Sequence, residues 1–485
     1  MNRQLRPIAA GLGLLTLAIV CPGFVAAQQP DQQPTPPVQP VQPVGDNANA
    51  AKNTPQQPAN NPTPTPPLLA ATDLTFALPV ERSYLAPSLS YYGQLNSNAF
   101  NAPNSQGFQV AEVNSILGGV VLQKVRPRSQ MNLGYLGGGT FSAAGGALNS
   151  TTQDLALSQA WTRGRWAGAE ADEFSYSSGA LLLGGTSPFD LVGLGQVSGL
   201  GSLGPILIRD SFRPSQSIFT PVGPRLTNAA VAQVDYQVNA RTTFVTIADY
   251  DILHFFESGL VDSYAAGFQT GLSRQLTRRD TLAVAYRFNS LWFNGSPEVI
   301  RDHVAQLAFE RALTRRVDVR IGAGPDVTQI NVPGAPETRV SWAGAASLRY
   351  ATERMGYGIY LDRGVTSGSG VFLGAVTSTA SAAVQRQLSR LWSLTFDVSY
   401  GRNVNLISVV TPRIVAPAGS RFNAVYGGFL ARRQLGENSE FFFGYTLRRQ
   451  TSDATLCSGG LCGSSVPGNV LNFGFVWRPR EIPIN

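Results

Sequence analysis

The run from Asp280 to Ala312 limits what this chain can become more than any other stretch. Leu282, Val284, Tyr286 and Phe288 alternate with Ala283, Ala285, Arg287 and Asn289. After a polar loop, Asn294-Gly295-Ser296-Pro297, the chain returns with Ala305, Leu307 and Phe309 set against Gln306, Ala308 and Glu310. A side-chain period of two is that of a β-strand with one apolar face and one small or polar face. Short polar turns, Leu276–Asp280 and Leu313–Arg316, bound the pair, so the unit is one long hairpin.

The hairpin recurs. Turns of the same character centre near Arg126, Gly164, Ala240, Thr277, Thr314, Thr352, Ser389 and Gly436, and from Ala240 to Ser389 the steps are 37, 37, 38 and 37 residues. Such a step holds two strands of roughly 10–13 residues with their connections, the length of a transmembrane β-strand. A four-stranded propeller blade would need more and shorter strands at this period. A meander of long strands must close to hide its edges, and in lipid only a closed barrel satisfies every backbone group.

Strands are expected near 87–98, 111–124, 129–140, 151–162, 166–178, 227–238, 242–255, 263–275, 280–292, 300–312, 317–327, 338–350, 355–364, 371–387, 391–402, 421–434, 439–450 and 468–478. That is about eighteen, with sixteen the alternative because 87–98 and 151–162 alternate weakly. The expected fold is all-β, a transmembrane antiparallel up-and-down barrel over 87–478, preceded by a disordered N-terminal segment. An even strand number leaves both chain ends on the periplasmic side.

Residues 1–27 have the anatomy of a secretory signal: Arg3 and Arg6, an apolar run from Ile8 to Val20, then Val25-Ala26-Ala27 before Gln28. The run is too short to span a membrane as a helix. Val20 and Pro22 beside Cys21 do not suit a lipid-modified cysteine. Residues 28–67, rich in Pro, Gln, Asn and Thr, read as a disordered tether, either a passive spacer or a contact to the cell wall. Residues 68–86 lead into the barrel and 479–485 form a tail. Charged residues make up only 14% of the chain, against roughly 25% in a soluble domain. The net charge of +7 is scattered, with no stripe for nucleic acid.

The strand ends carry aromatics, Trp166, Tyr350, Tyr357, Trp392, Phe441 and Trp477, suited to an interfacial girdle. The last strand, Leu471-Asn472-Phe473-Gly474-Phe475-Val476-Trp477, alternates aromatics too. In these features the chain resembles the Gram-negative outer-membrane β-barrel class, porin-like in size. The resemblance implies outer-membrane lipid and the barrel-assembly machinery as partners, with an aromatic-rich final strand as the assembly signal. Here Arg478 to Asn485 follow that strand. It also implies that a long third outward loop, here 178–227, folds into the lumen. Its apolar, Gly-rich composition suits burial there, although a concealed hairpin is the alternative.

Charges expected to line the lumen are Glu170, Asp172, Asp235, Asp249, Asp251, Arg287, Glu310, Arg320, Arg349, Asp397 and Arg448. Placed on the lipid face, each would cost roughly 2–4 kcal/mol near mid-membrane. Acidic residues on one wall and basic ones on the other would set a transverse field, whereas local pairing would cancel it. Cys457 and Cys462 in the last outward loop read as a disulfide. His254 and His303, with Asp251, Asp302 and Ser258 near in sequence, show no triad spacing. No enzymatic activity, cofactor or metal is expected. The functional expectation is an outer-membrane pore passing small hydrophilic solutes by diffusion. The alternatives are a plugged structural or surface-exposed barrel and, more distantly, a barrel enzyme. The sequence leaves oligomeric state open.

Overall fold

A computed structural model describes residues 83–99, 101–102, 110–142, 149–177, 224–352, 354–368, 370–411, 414–458 and 461–484. The signal, the tether, most of the lead-in and most of the 178–227 loop lie outside these residues. In chain order the strands are β1 Tyr84–Asn96, β2 Ala111–Arg126, β3 Ser129–Phe141, β4 Ser150–Arg163, β5 Trp166–Ser177, β6 Arg225–Asn239 and β7 Thr242–Phe255. Then come β8 Ser263–Gln275, β9 Asp280–Phe293, β10 Val299–Ala312, β11 Val317–Asn331, β12 Glu337–Ala351, β13 Met355–Thr366 and β14 Ala375–Gln387. The chain ends with β15 Trp392–Asn405, β16 Val409–Val410, β17 Ile414–Ala416, β18 Arg421–Gln434, β19 Ser439–Ser458, β20 Leu461–Trp477 and β21 Ile482–Pro483.

Eighteen of these are long wall strands, each antiparallel to the next, and the described residues contain no helix. The circle closes between β1 and β20 in the register Leu89↔Trp477 to Asn96↔Val470. Both wall ends therefore sit on the short-turn side. The C-terminal tail does not simply trail away. β21 pairs with the lower end of β1, Tyr84↔Pro483 and Leu85↔Ile482, covering an edge that would otherwise be open.

One face of every wall strand points out of the barrel. Leu89, Tyr135, Val284, Leu307, Ile321, Trp342, Val398 and Leu447 are exposed there, and Val340 reaches 74%. So much exposed apolar surface on a closed sheet is what a lipid-facing wall requires. The opposite parity carries Gln94, Ser115, Gln233, Gln269, Asp302, Gln306, Asp326, Thr377, Asn403 and Thr446, all buried. β1 and β4 are present despite their weak alternation, and the cause lies inside the barrel. Tyr92 and Ala156 point inward with Leu117, Val121, Leu136, Phe442 and Val476 into an apolar cluster, so the inner face there is not polar.

Two rows of aromatics bound the outer wall. On the short-turn side Trp166 packs on Tyr236 and Tyr350 stacks on Tyr357, each with ring centroids 4.6 Å apart. Arg433 lies over Trp392 in the same region. On the long-loop side a diagonal hydrogen bond repeats. Tyr91 donates to Asn114 at 2.7 Å, Tyr400 to Asn423 at 3.0 Å and Tyr445 to Asn469 at 2.7 Å. Tyr135 reaches Gln153 and Tyr286 reaches His303 in the same way. Each partner sits on the next strand, two residues nearer the loop side than the residue paired with the tyrosine.

Three strand expectations change. The strand expected over 371–387 begins at Ala375, because Gly370 and Gly374 take φ of 78° and 79° and turn the chain inward. β19 and β20 run past the expected limits to Ser458 and Leu461, since a polar ladder can continue beyond the lipid where no alternation is needed. Between β15 and β18 the chain makes a small hairpin, Val409↔Ala416 and Val410↔Val415.

Candidate functional site

The inner wall from β7 to β13 holds the densest set of charges. Arg287 on β9 points inward because its parity is that of Ala283 and Ala285 in the strict alternation of that strand. Its guanidinium lies 3.6 Å from Asp302 of β10 and also interacts electrostatically with Asp249 of β7 and Asp362 of β13. A Cβ on Gly364 of β13 would stand 3.4 Å from the Arg287 guanidinium. Arg287 is thus a positive centre among carboxylates from three other wall strands.

A second tier follows on β10 to β12. Asp302 and Asp326 are fully buried, and the Thr328 hydroxyl lies 3.2 Å from a carboxylate oxygen of each. Ser341 donates to Asp326 at 3.3 Å. Toward the short turns Arg320 meets Glu310 at 3.2 Å and Arg349 meets Asp318 at 3.3 Å. Of the basic residues expected to form one wall of a transverse field, Arg287, Arg320 and Arg349 are therefore each paired with an acid on a neighbouring strand. Charge–charge attraction across a 4.8 Å strand spacing outweighs attraction across the lumen.

Asp235, Asp249, Asp251, Asp397 and Arg448 also have inward parity. Asp235 accepts from Gln233 at 3.0 Å. Arg448 is buried and donates to the Asn98 carbonyl at 2.8 Å, so it pins the β1–β2 connection. Glu170 and Asp172 correct the expectation. They share the face of Trp166 and Phe174 and pair with Ala232 and Ala230, beside exposed Val234, so they point out of the barrel. On the opposite face of β5, Ala169 and Ala171 point inward, packed on Val231, Val245 and Ile247. Asp172 meets its local need through Asn228, which donates to it at 2.6 Å.

Asp302, Asp326 and Asp362 were absent from the expected lining, and strand parity alone would have found them. Asp302 shares a face with Gln306 and Glu310, as Asp326 does with Arg320. Asp302 and His303, being consecutive on a strand, face opposite sides. His303 sits outside against Tyr286 and Phe288, while Asp262 takes His254 at 2.7 Å. Cys457 is disulfide-bonded, and the backbone register sets it opposite Cys462.

Among the described residues, three connections meet at the outer mouth. Between β13 and β14, Gly370 accepts from Val261 of the β7–β8 connection at 2.8 Å. Thr411, in the excursion between β15 and β18, donates to Gly259 of that same connection at 2.9 Å. Val371 and Phe372 are fully buried with Leu406, Ile407, Ile414, Phe422, Ile300 and Phe293. Phe372 meets Phe422 edge-on at 4.7 Å. Among the described residues this apolar cap is built from the β7–β8, β13–β14 and β15–β18 connections.

No protein-family model matches the sequence and no curated protein is similar to it. Among solved structures the chain is similar to OccK2 (OpdF) of Pseudomonas aeruginosa, with a TM-score of 0.41 and 9% identity over 82% of this chain and 98% of that one. It is also similar to the ferric-catecholate import receptor Fiu of E. coli K12, TM-score 0.40 and 10% identity over 83% and 82%. The ferric citrate transporter FecA gives a TM-score of 0.40 and 10% identity over 84% and 80%. All three are likenesses of barrel fold.

Proposed function

We propose that the chain resides in the outer membrane of a Gram-negative-type bacterium and passes small hydrophilic solutes through its lumen by diffusion, with a preference for cations. The observation that carries this reading is Arg287 set among Asp249, Asp302 and Asp362, a charged station on the inner wall of a lipid-facing barrel. Carboxylates outnumber arginines at that station, and in a low-dielectric passage the surplus sign attracts the opposite ion. No catalytic role is assigned to any residue.

The test is single-channel recording of the full chain in a planar bilayer. Ohmic steps with a cation-favouring reversal potential are expected, and Asp302→Asn with Asp249→Asn should move that potential toward neutrality. Ohmic steps with an anion preference would sink the selectivity reading.

A second reading, a barrel held shut at its outer mouth, is favoured by the apolar cap. Deleting residues 407–419 distinguishes the two. Conductance unchanged by the deletion supports a standing path past the cap, and conductance gained only after it supports the closed barrel. Silence of both proteins, once folded, would reject a channel.

A further inference from the structure

The lipid-facing wall between β13 and β15 is not uniformly apolar. A groove of about 450 Å³ opens there, lined by Arg363, Ser378, Thr379, Ala380, Tyr400, Arg402 and Val404. All but Thr379 have outward parity. Arg363 pairs with Ser378, Ser378 with Arg402, and Arg402 with Asn423, which makes one continuous cross-strand row. Asn423 is the residue that receives the Tyr400 hydroxyl in the outer aromatic belt. The two guanidiniums therefore lie just beyond that belt, flanking one serine. From Trp392 of the opposite belt to Arg402 the chain covers about 33 Å, or roughly 25 Å along the membrane normal at a tilt of ~40°. That is the edge of the hydrocarbon layer, where headgroups begin.

Arg363 is held in place. It stacks 5.0 Å from the Trp342 ring centroid and donates to the Trp342 carbonyl at 3.2 Å and to Ser378 at 3.0 Å. Arg402 is exposed and has no hydrogen-bond or ion-pair partner among the described residues. Among those residues the outward faces of β12 to β18 carry no carboxylate, while Arg421 and Arg449 extend the basic belt onto β18 and β19. A guanidinium at this depth with no acid beside it is poorly satisfied by acyl chains and well satisfied by a phosphate, which it can meet with two hydrogen bonds.

We propose that this groove binds the phosphorylated headgroup of an outer-leaflet glycolipid, with Arg363 and Arg402 on the phosphate, Ser378 and Tyr400 as hydroxyl partners, and Ala380 and Val404 against the start of the acyl region. The inference rests on the outer-membrane reading above, but it is tested without it.

The full chain, folded in detergent micelles, is titrated with an acylated disaccharide carrying two phosphates, and retained lipid is counted by native mass spectrometry. One tightly held lipid per barrel is expected. Arg363→Gln with Arg402→Gln should weaken retention by about tenfold or more. Arg433→Gln, at the opposite belt, should leave it unchanged. Arg402→Gln alone keeps the test open if the double variant does not fold, because the Arg402 side chain bonds nothing among the described residues. The dephosphorylated lipid should bind no better to the native chain than to the variants. Equal retention by native chain and variants would overturn the proposal, and so would competition by inorganic phosphate at the lipid's own concentration, which would make the ligand a free anion. Cell fractionation tests the outer-membrane reading separately, since the micelle titration gives the same answer wherever the chain resides.

Discussion

Arg287 lies 3.6 Å from Asp302 on the adjacent strand and interacts electrostatically with Asp249 of β7 and Asp362 of β13. Removing its charge leaves Asp249 and Asp362 unopposed. Arg287→Gln should therefore raise cation over anion permeability by about twofold or more, read from the reversal potential in a salt gradient. Gly370 tests the cap in the same spirit. Its φ of 78° costs an L-residue roughly 1–2 kcal/mol, and a side chain there would collide with the Phe255 ring. Gly370→Leu should loosen the cap, seen as larger or more frequent conductance steps. The unfolding midpoint of the wall should hardly move, because the β-ladder does not include Gly370. Residue roles were partly legible in the chain. Parity placed Arg287, Glu310, Arg320 and Arg349 inward, and the same parity, applied to β5 from Trp166, would have turned Glu170 and Asp172 outward.

At the scale of elements, the diagonal tyrosine bonds join an upward strand to the next downward one at a single height on the wall. Tyr400→Phe should lower stability by about 0.5–1.5 kcal/mol in urea unfolding from micelles, and Asn423→Ala by a similar amount. The double variant should cost less than the sum, since both changes remove one bond. Full additivity would mean the bond contributes nothing. The motif was hidden in the sequence because its partners are far apart along the chain: Tyr445 and Asn469 become neighbours only once the β19/β20 register is set. The inward turn after β13 was hidden for another reason. Val371, Phe372 and Leu373 read as strand residues, and only the positive φ of the glycines around them diverts the chain.

For the whole molecule the decisive contact is closure between the first and last wall strands. Leu95 faces Leu471 in that seam, with both side chains outside. Cysteines at these two positions should cross-link on mild oxidation, giving a chain that stays compact and runs faster on a gel after heat denaturation. Cysteines at Leu95 and Phe473 should not cross-link efficiently, because that pair is out of register by two residues. Cross-linking in the second variant but not the first would displace the seam and, with it, the alignment of the outer belt.

The local sequence was enough to narrow the strand number to sixteen or eighteen, to set strand limits to within a few residues at most positions, and to give the lipid-facing parity of most strands and the side on which the first and last wall strands end. These follow from a period of two and a repeat near 37 residues, both properties of neighbouring residues. Tertiary structure alone decided the rest: Arg287 among carboxylates from β7, β10 and β13, the cap built from three separate connections, the tail that covers β1, and the two arginines brought beside one serine on the outer wall. Each joins residues from strands or loops distant in sequence. Their meeting depends on closure and register, which no local pattern of hydrophobicity encodes.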